Sequence, residues 1–111
     1  MAALTVQNIT LGTTLTPTFA SAAELGDYFA NTGKIFLYFK NANVGASRVI
    51  TIASQVACSQ GTTHNITVTV PASSEEMVGF FDVNRFNDLN GRVQITYTDH
   101  EDVTVAAISV S

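Results

Sequence analysis

The stretch of sequence that decides the fold is Ile35-Phe36-Leu37-Tyr38-Phe39. Its β-branched and aromatic residues are typical of a strand, in which successive side chains point to opposite faces of a sheet. Both faces of this strand are therefore apolar. Met77-Val78-Gly79-Phe80-Phe81 has the same property. Because a second sheet can cover only one face in a small domain, the other face is a candidate surface for a partner protein.

The rest of the chain consists of short strand-like segments separated by turn residues. The segment 64–70 alternates most strictly, and we expect Ile66, Val68 and Val70 to face the core and the threonines to face outward. This spacing of strands and turns predicts an all-β fold, an antiparallel β-sandwich of seven or eight strands, with a jelly roll as one arrangement. Its 111 residues are enough for one domain.

Two hairpins are expected from the order of the strands. Segment 35–40 is predicted to pair with segment 48–54, and segment 92–97 with segment 103–110. A further strand is predicted at 76–82.

The stretch between residues 21 and 33 allows two interpretations. Ser21 and Glu24 have the spacing of a helix capping box, which would begin a short helix ending at Gly33. Gly26-Asp27 in the middle of the stretch favours a turn instead.

The first 20 residues are predicted to form an N-terminal strand or arm, and residues 21–111 the sandwich itself. Leu4 and Val6 alternate with polar residues, and Pro17 restricts the following piece to a sheet edge or an extended arm. Such an arm could add a strand to the open sheet edge of a neighbouring subunit.

The composition excludes several function classes. The formal net charge is -4 with five Lys and Arg residues, too few for strong binding to nucleic-acid phosphates. No apolar run is long enough to predict a membrane span. Cys58 is the only cysteine, so we expect neither an intrachain disulfide nor a cysteine-bound zinc ion. Met1 to Leu4 lacks the basic start of a secretion signal, which predicts folding in a reducing cytoplasm.

Three groups of residues are candidates for a chemical site. The run Asp99-His100-Glu101-Asp102 holds metal-ligand types, but we interpret it as a solvated loop, since adjacent side chains diverge. The Asp- and Asn-rich stretch 82–90 lacks the spacing of a calcium loop and is predicted to satisfy turn backbones. His64 and His100 could pair with Cys58 or a serine, but no nucleophile motif accompanies them. We therefore predict no enzyme activity, no metal and no cofactor.

The chain contains a series of short sequence motifs. Their order resembles that in the small β-sandwich decoration or cement proteins of tailed-bacteriophage capsids. The match covers roughly residues 26–108, and the N-terminal stretch to Ala20 departs from it. The motifs, in chain order, are Gly26-Asp27-Tyr28-Phe29-Ala30-Asn31-Thr32-Gly33, Phe36-Leu37, Lys40-Asn41, Thr51-Ile52, Val68-Thr69-Val70-Pro71-Ala72, Gly79-Phe80-Phe81, Phe86-Asn87-Asp88, Gly91, Val93-Gln94-Ile95-Thr96-Tyr97 and Val103-Thr104-Val105-Ala106-Ala107-Ile108.

The resemblance implies a virion structural protein on the outer capsid surface, with the major capsid protein and copies of itself, as a dimer or trimer, as partners. A phage tail, neck or head-fibre component and a carbohydrate-binding module are the alternatives. Most of the aromatic residues are expected to fill the core. The remainder, with the N-terminal aliphatic residues, supply the candidate interface, which is Leu4, Val6, Phe80, Phe81 and Phe86.

Overall fold

A computed structural model describes residues 1–10, 12, 14–55 and 65–110 of the chain. Within them the chain forms ten strands and one single-turn helix. The elements are β1 (Ala2–Ala3), β2 (Val6–Ile9), β3 (Ala20–Ser21), β4 (Asp27–Ala30), β5 (Ile35–Asn41), β6 (Arg48–Ile52), β7 (Ile66–Val70), β8 (Glu75–Val78), α1 (Val83–Phe86), β9 (Arg92–Tyr97) and β10 (Val103–Val110).

The strands form two packed sheets, which confirms the predicted all-β sandwich. The first sheet has the order β1-β4-β9-β6-β7, and the second has the order β2-β10-β5-β8, with β3 also paired to β10. Ten strands exceed the seven or eight expected, in part because β1 and β3 have only two residues each.

The N-terminal segment contributes a strand to each sheet of its own chain. β1 pairs in parallel with β4, and β2 pairs in parallel with β10, so that Val6 lies opposite Ala107. All other pairings are antiparallel. Residues 2–3 and 6–9 therefore pair within the sheets of their own chain. Residues 14–19, where Pro17 lies, have no regular secondary structure.

The core lies between the sheets and follows the alternation read from the sequence. In β5 every second residue, from Ile35 through Leu37 to Phe39, is buried in the core, whereas Phe36 and Tyr38 are only half-buried. Ile66 and Val68 of β7 also pack against the core, and Val70 is part of it. The predicted orientation of β7 is therefore confirmed, whereas the sequence had not predicted which face of β5 would be buried.

Both predicted hairpins are wrong. β5 lies in the second sheet and β6 in the first, and β9 and β10 are likewise in different sheets. The connections 42–47 and 98–102 are five or six residues long, which is enough to cross the roughly 10 Å between packed sheets. After crossing, each of the four strands lies inside its own sheet with a neighbour on both sides.

The capping-box interpretation of residues 21–33 is also wrong. This stretch holds the end of β3, a turn and all of β4, and the chain enters β4 through Gly26, which has φ +98°. The backbone carbonyl of Ile95 lies 2.4 Å from where a Cβ at residue 26 would be. Gly26 thus allows β4 to approach β9 closely, so the turn alternative is confirmed. The predicted strand at 76–82 ends earlier, at Val78, and α1 follows it.

Candidate functional site: an aromatic patch on the outer face of the second sheet

The sequence of segment 35–39, which is apolar on both faces, predicted an apolar face outside the core. In the structure this is the outer face of the second sheet. Phe36 and Tyr38 point to this side of β5, because the alternate residues point into the core. They lie opposite Ile108 and Ala106 of β10, which are both buried although they do not belong to the core between the sheets. Apolar side chains therefore cover both faces of this sheet.

The exposed part of this apolar face lies toward β8. Met77 is opposite Tyr38 in the strand register and is 62% exposed. Phe80, just beyond the strand, is 58% exposed and packs edge-on against Phe36 with ring centroids 6.3 Å apart. We call Phe36, Tyr38, Met77 and Phe80 together the aromatic patch.

The position of Phe80 is set by its two neighbours in the chain. Gly79 lies against Phe36 so closely that a Cβ there would be 2.5 Å from the Phe36 Cβ. On the other side Phe81 is inserted in the core, 1% exposed, with its ring 5.8 Å from that of Phe29. With one neighbour held against β5 and the next in the core, Phe80 is left on the outer surface.

A side-chain network holds the segment after Phe81 to the first sheet. The Asn31 amide donates to the carbonyl of Phe81 at 3.0 Å and to Oδ1 of Asn87 at 2.8 Å. The Asn87 amide donates back to the Asn31 carbonyl at 3.3 Å. These hydrogen bonds join the residues before and after α1 to the residue that follows β4. They therefore fix the segment that follows Phe80.

Charged groups border the patch at one end. Glu75 accepts a hydrogen bond from the Tyr38 hydroxyl and lies 3.9 Å from the Lys40 ammonium. The hydrogen bond to Glu75 raises the pKa of Tyr38, because the phenol proton is held by a carboxylate. The Lys40 ammonium also lies 4.1 Å from the centre of the Phe19 ring, which packs edge-on against Tyr38.

A cavity of about 410 Å³ lies between β2 and β3, beside the patch. Its walls are mainly small apolar side chains, among them Ala20 and Ala106. Gln7 bridges the two segments, because its amide donates to the Thr18 carbonyl at 2.7 Å and accepts from the Thr18 N–H at 2.8 Å. None of the lining residues carries a charge, so the cavity offers hydrogen bonds and apolar contact but no acid or base.

The predicted interface residues lie in different places. Phe80 belongs to the aromatic patch. Phe81 and Phe86 are core residues, 1% and 3% exposed, with rings 5.7 Å apart. Side chains so deeply buried cannot contact a partner, so these two are removed from the interface. Leu4 and Val6 are half-buried and pack against the core of their own chain.

Three residues of the aromatic patch were not among the predicted interface residues, namely Phe36, Tyr38 and Met77. Apolar residues at adjacent positions of 35–39 and 77–81 indicated that one face of these strands would be exposed. The pattern did not indicate which residues would lie on that face. Alternation alone does not tell which of the two faces meets the other sheet.

The acidic and histidine-containing stretches make ordinary loop contacts. Asp99 accepts from the Glu101 N–H at 3.0 Å and lies 3.6 Å from the Arg48 guanidinium. Asp82 caps α1 by accepting from the Asn84 N–H, and Asp88 accepts from the Asn90 N–H, as predicted for turn residues. Among the described residues no three His, Cys, Asp or Glu side chains are close enough to hold a metal ion. Cys58 and His64 lie outside the described residues.

Comparisons with known proteins give no further assignment. No protein-family model, curated protein or solved structure matches this chain. In the described part of the chain no helix has the length and apolar character needed to cross a membrane.

Proposed function

We propose that the protein is a non-enzymatic capsid decoration protein that binds the outer face of a tailed-phage head and bridges neighbouring major capsid subunits. It would be made in the host cytoplasm and carried on the surface of the virion. The observation that supports this role best is the aromatic patch, which leaves Met77 and Phe80 more than half exposed on an ordered sheet.

The chemistry of the patch suits a protein partner. Aromatic residues and methionine are enriched at protein interfaces, where a few buried aromatic side chains supply most of the binding energy. The rings are already packed against each other before a partner arrives, so little side-chain entropy is lost on binding. At its border Lys40 and Glu75 offer one charge of each sign for orientation.

A low surface charge also favours broad protein contacts. Only 13% of the residues are charged, and most of the remaining polar groups are hydroxyls and amides. Burying such neutral groups costs less free energy than burying ions, provided that they find hydrogen bonds. A protein that contacts several capsid subunits at once would bind more tightly than each single contact allows, because the first contact raises the effective concentration for the others.

The test is co-sedimentation of the purified protein with purified expanded heads of the phage that encodes it. A decoration protein is expected to sediment with heads in many copies per particle, saturably. Sedimentation in a few copies, only with particles that carry tails, would indicate a tail or neck component. Binding to glycans but not to heads would indicate a carbohydrate-binding module.

Two matched variants test the patch itself. Phe80→Asp places a charge in the patch and should reduce head binding at least tenfold. Leu89→Asp makes the same kind of change at a fully exposed loop residue outside the patch and should leave binding unchanged. If Phe80→Asp binds heads as well as the wild type does, the patch is not the binding surface.

A further inference from the structure

Among the described strands, β7 forms one edge of the first sheet, and part of its backbone faces away from that sheet. The Thr98 N–H donates to the Val49 carbonyl, and the Ala53 N–H donates to the Gln94 carbonyl, both at 3.0 Å. The odd-numbered residues of β6 therefore direct their backbone groups to β9, and the even-numbered ones direct theirs to β7. From the strand register, Ile66, Val68 and Val70 of β7 pair with these even-numbered residues. The backbone groups of Thr67 and Thr69 then face away from the sheet, where the described residues provide no strand.

This edge lacks the features that protect exposed edges in most proteins. Charged residues, proline, bulges and very short strands commonly prevent pairing between chains. β7 has none of these: Ile66–Val70 contains neither charge nor proline, and five consecutive residues keep register with β6. By contrast, β8 at an edge of the second sheet begins with Glu75-Glu76, and β1 has two residues.

The side chains of this edge are also incompletely covered. Ile66 and Val68 pack against the core but remain only half-buried, and among the described strands β7 has a neighbour on one side only. A further strand beside β7 would cover them and would extend the layer that they belong to. The edge therefore offers both hydrogen bonds and apolar area to an added strand.

The sequence of β7 favours its own copy as that strand. Ile66-Thr67-Val68-Thr69-Val70 has the same pattern in both directions, with threonine at the second and fourth positions and aliphatic residues elsewhere. Antiparallel pairing of two copies centred on Val68 places threonine opposite threonine and aliphatic residues opposite aliphatic residues. The register also brings the free backbone groups of Thr67 opposite those of Thr69 in the other copy.

Charge points to the same arrangement. The chain has a formal net charge of -4, so two copies repel each other over much of their surface. β7 carries no charge, and like charges directly opposite each other are absent from this pairing. We infer that β7 is a self-association edge, at which two copies pair antiparallel about a twofold axis through Val68 and join their first sheets into one.

The first experiment is sedimentation equilibrium of the protein alone, without phage particles, so that its result does not depend on the proposed capsid role. The wild type is expected to approach twice the monomer mass of 11.8 kDa with increasing concentration. Thr69→Pro removes an N–H that faces the free edge and keeps the ladder to β6, so it should weaken the dimer at least tenfold. A wild type that stays monomeric at millimolar concentration would overturn the inference, and so would a folded Thr69→Pro variant that dimerises normally.

The second experiment does not require a proline to be tolerated. In a Cys58→Ser background, Val68→Cys places one thiol on each side of the expected twofold axis, and mild oxidation should give a disulfide-linked dimer. Thr96→Cys is the matched control, because Thr96 is exposed but lies on β9 within the sheet. Equal amounts of covalent dimer from the two variants would overturn the register.

Discussion

The hydroxyl of Tyr97 donates a 2.6 Å hydrogen bond to Oδ2 of Asp27. Asp27 is 1% exposed, and the same oxygen also accepts from the Ala23 N–H at 3.3 Å. The Tyr97 ring packs edge-on against Phe39 of the other sheet, with ring centroids 6.5 Å apart. The Tyr97 hydroxyl therefore supplies a hydrogen-bond donor to the Asp27 carboxylate, which is shielded from water where β4 and β9 approach each other closely.

Tyr97→Phe should lower the free energy of unfolding by about 1–3 kcal/mol, because it leaves a buried carboxylate without one of its donors. Urea unfolding at neutral pH measures the change. Tyr38→Phe is the control: it also removes a hydroxyl that donates to a carboxylate, but Glu75 is exposed and water replaces the lost donor. A loss for Tyr97→Phe no larger than that for Tyr38→Phe would contradict the structural role of the pair.

Alkaline pH should destabilise the fold through the same tyrosine. Burial, and then the hydrogen bond to Asp27, raise the pKa of Tyr97 above its ordinary value of 10.0. The folded state therefore holds this proton more tightly than the unfolded state. Its contribution to stability is complete below pH 10 and decreases as the pH rises above 10. Unfolding by urea between pH 8 and pH 11 should show a smaller alkaline loss in Tyr97→Phe than in the wild type.

Truncation of the adjacent residues Phe80 and Phe81 should destabilise the fold by different amounts. Phe81→Ala empties a core site and should cost about 3–5 kcal/mol of unfolding free energy. Phe80→Ala removes only the edge-on contact with Phe36 and should cost about 0.5–1.5 kcal/mol. Thermal and urea unfolding of the two variants test this, and similar losses would mean that the outward and inward directions are assigned incorrectly.

Gly79→Ala should disturb the aromatic patch. Its Cβ would meet the Phe36 Cβ at 2.5 Å and the Phe36 Cα at 2.8 Å, so the chain must move away from β5. We expect a loss of about 1–3 kcal/mol, the usual cost of overpacking, together with changed amide chemical shifts at Phe36 and Phe80. Gly45→Ala is the control, since its nearest atom would be 3.9 Å away. If Gly79→Ala is as stable as Gly45→Ala, the close approach is not a constraint.

The candidate site was only partly predictable. The apolar residues at adjacent positions of 35–39 indicated that a second face would remain exposed, and Phe80, one of the predicted interface residues, is 58% exposed. Phe81 and Phe86 were named wrongly, because a phenylalanine that follows the end of a strand no longer obeys the alternation of that strand. Their burial depends on the chain turning inward after Gly79 and on the Asn31–Asn87 hydrogen bonds, which join residues 56 positions apart.

The amino-acid sequence by itself determined the all-β class and the inward-facing residues of β7, because side-chain alternation is a local property of a strand. Only the tertiary structure decided which strands are neighbours. A connection of five or six residues, such as 42–47 or 98–102, is long enough either to close a hairpin or to cross between sheets. Whether such a connection closes a hairpin or crosses between sheets depends on which arrangement buries the inner faces of all the strands together. That arrangement is a property of the whole packed sandwich and not of any single segment.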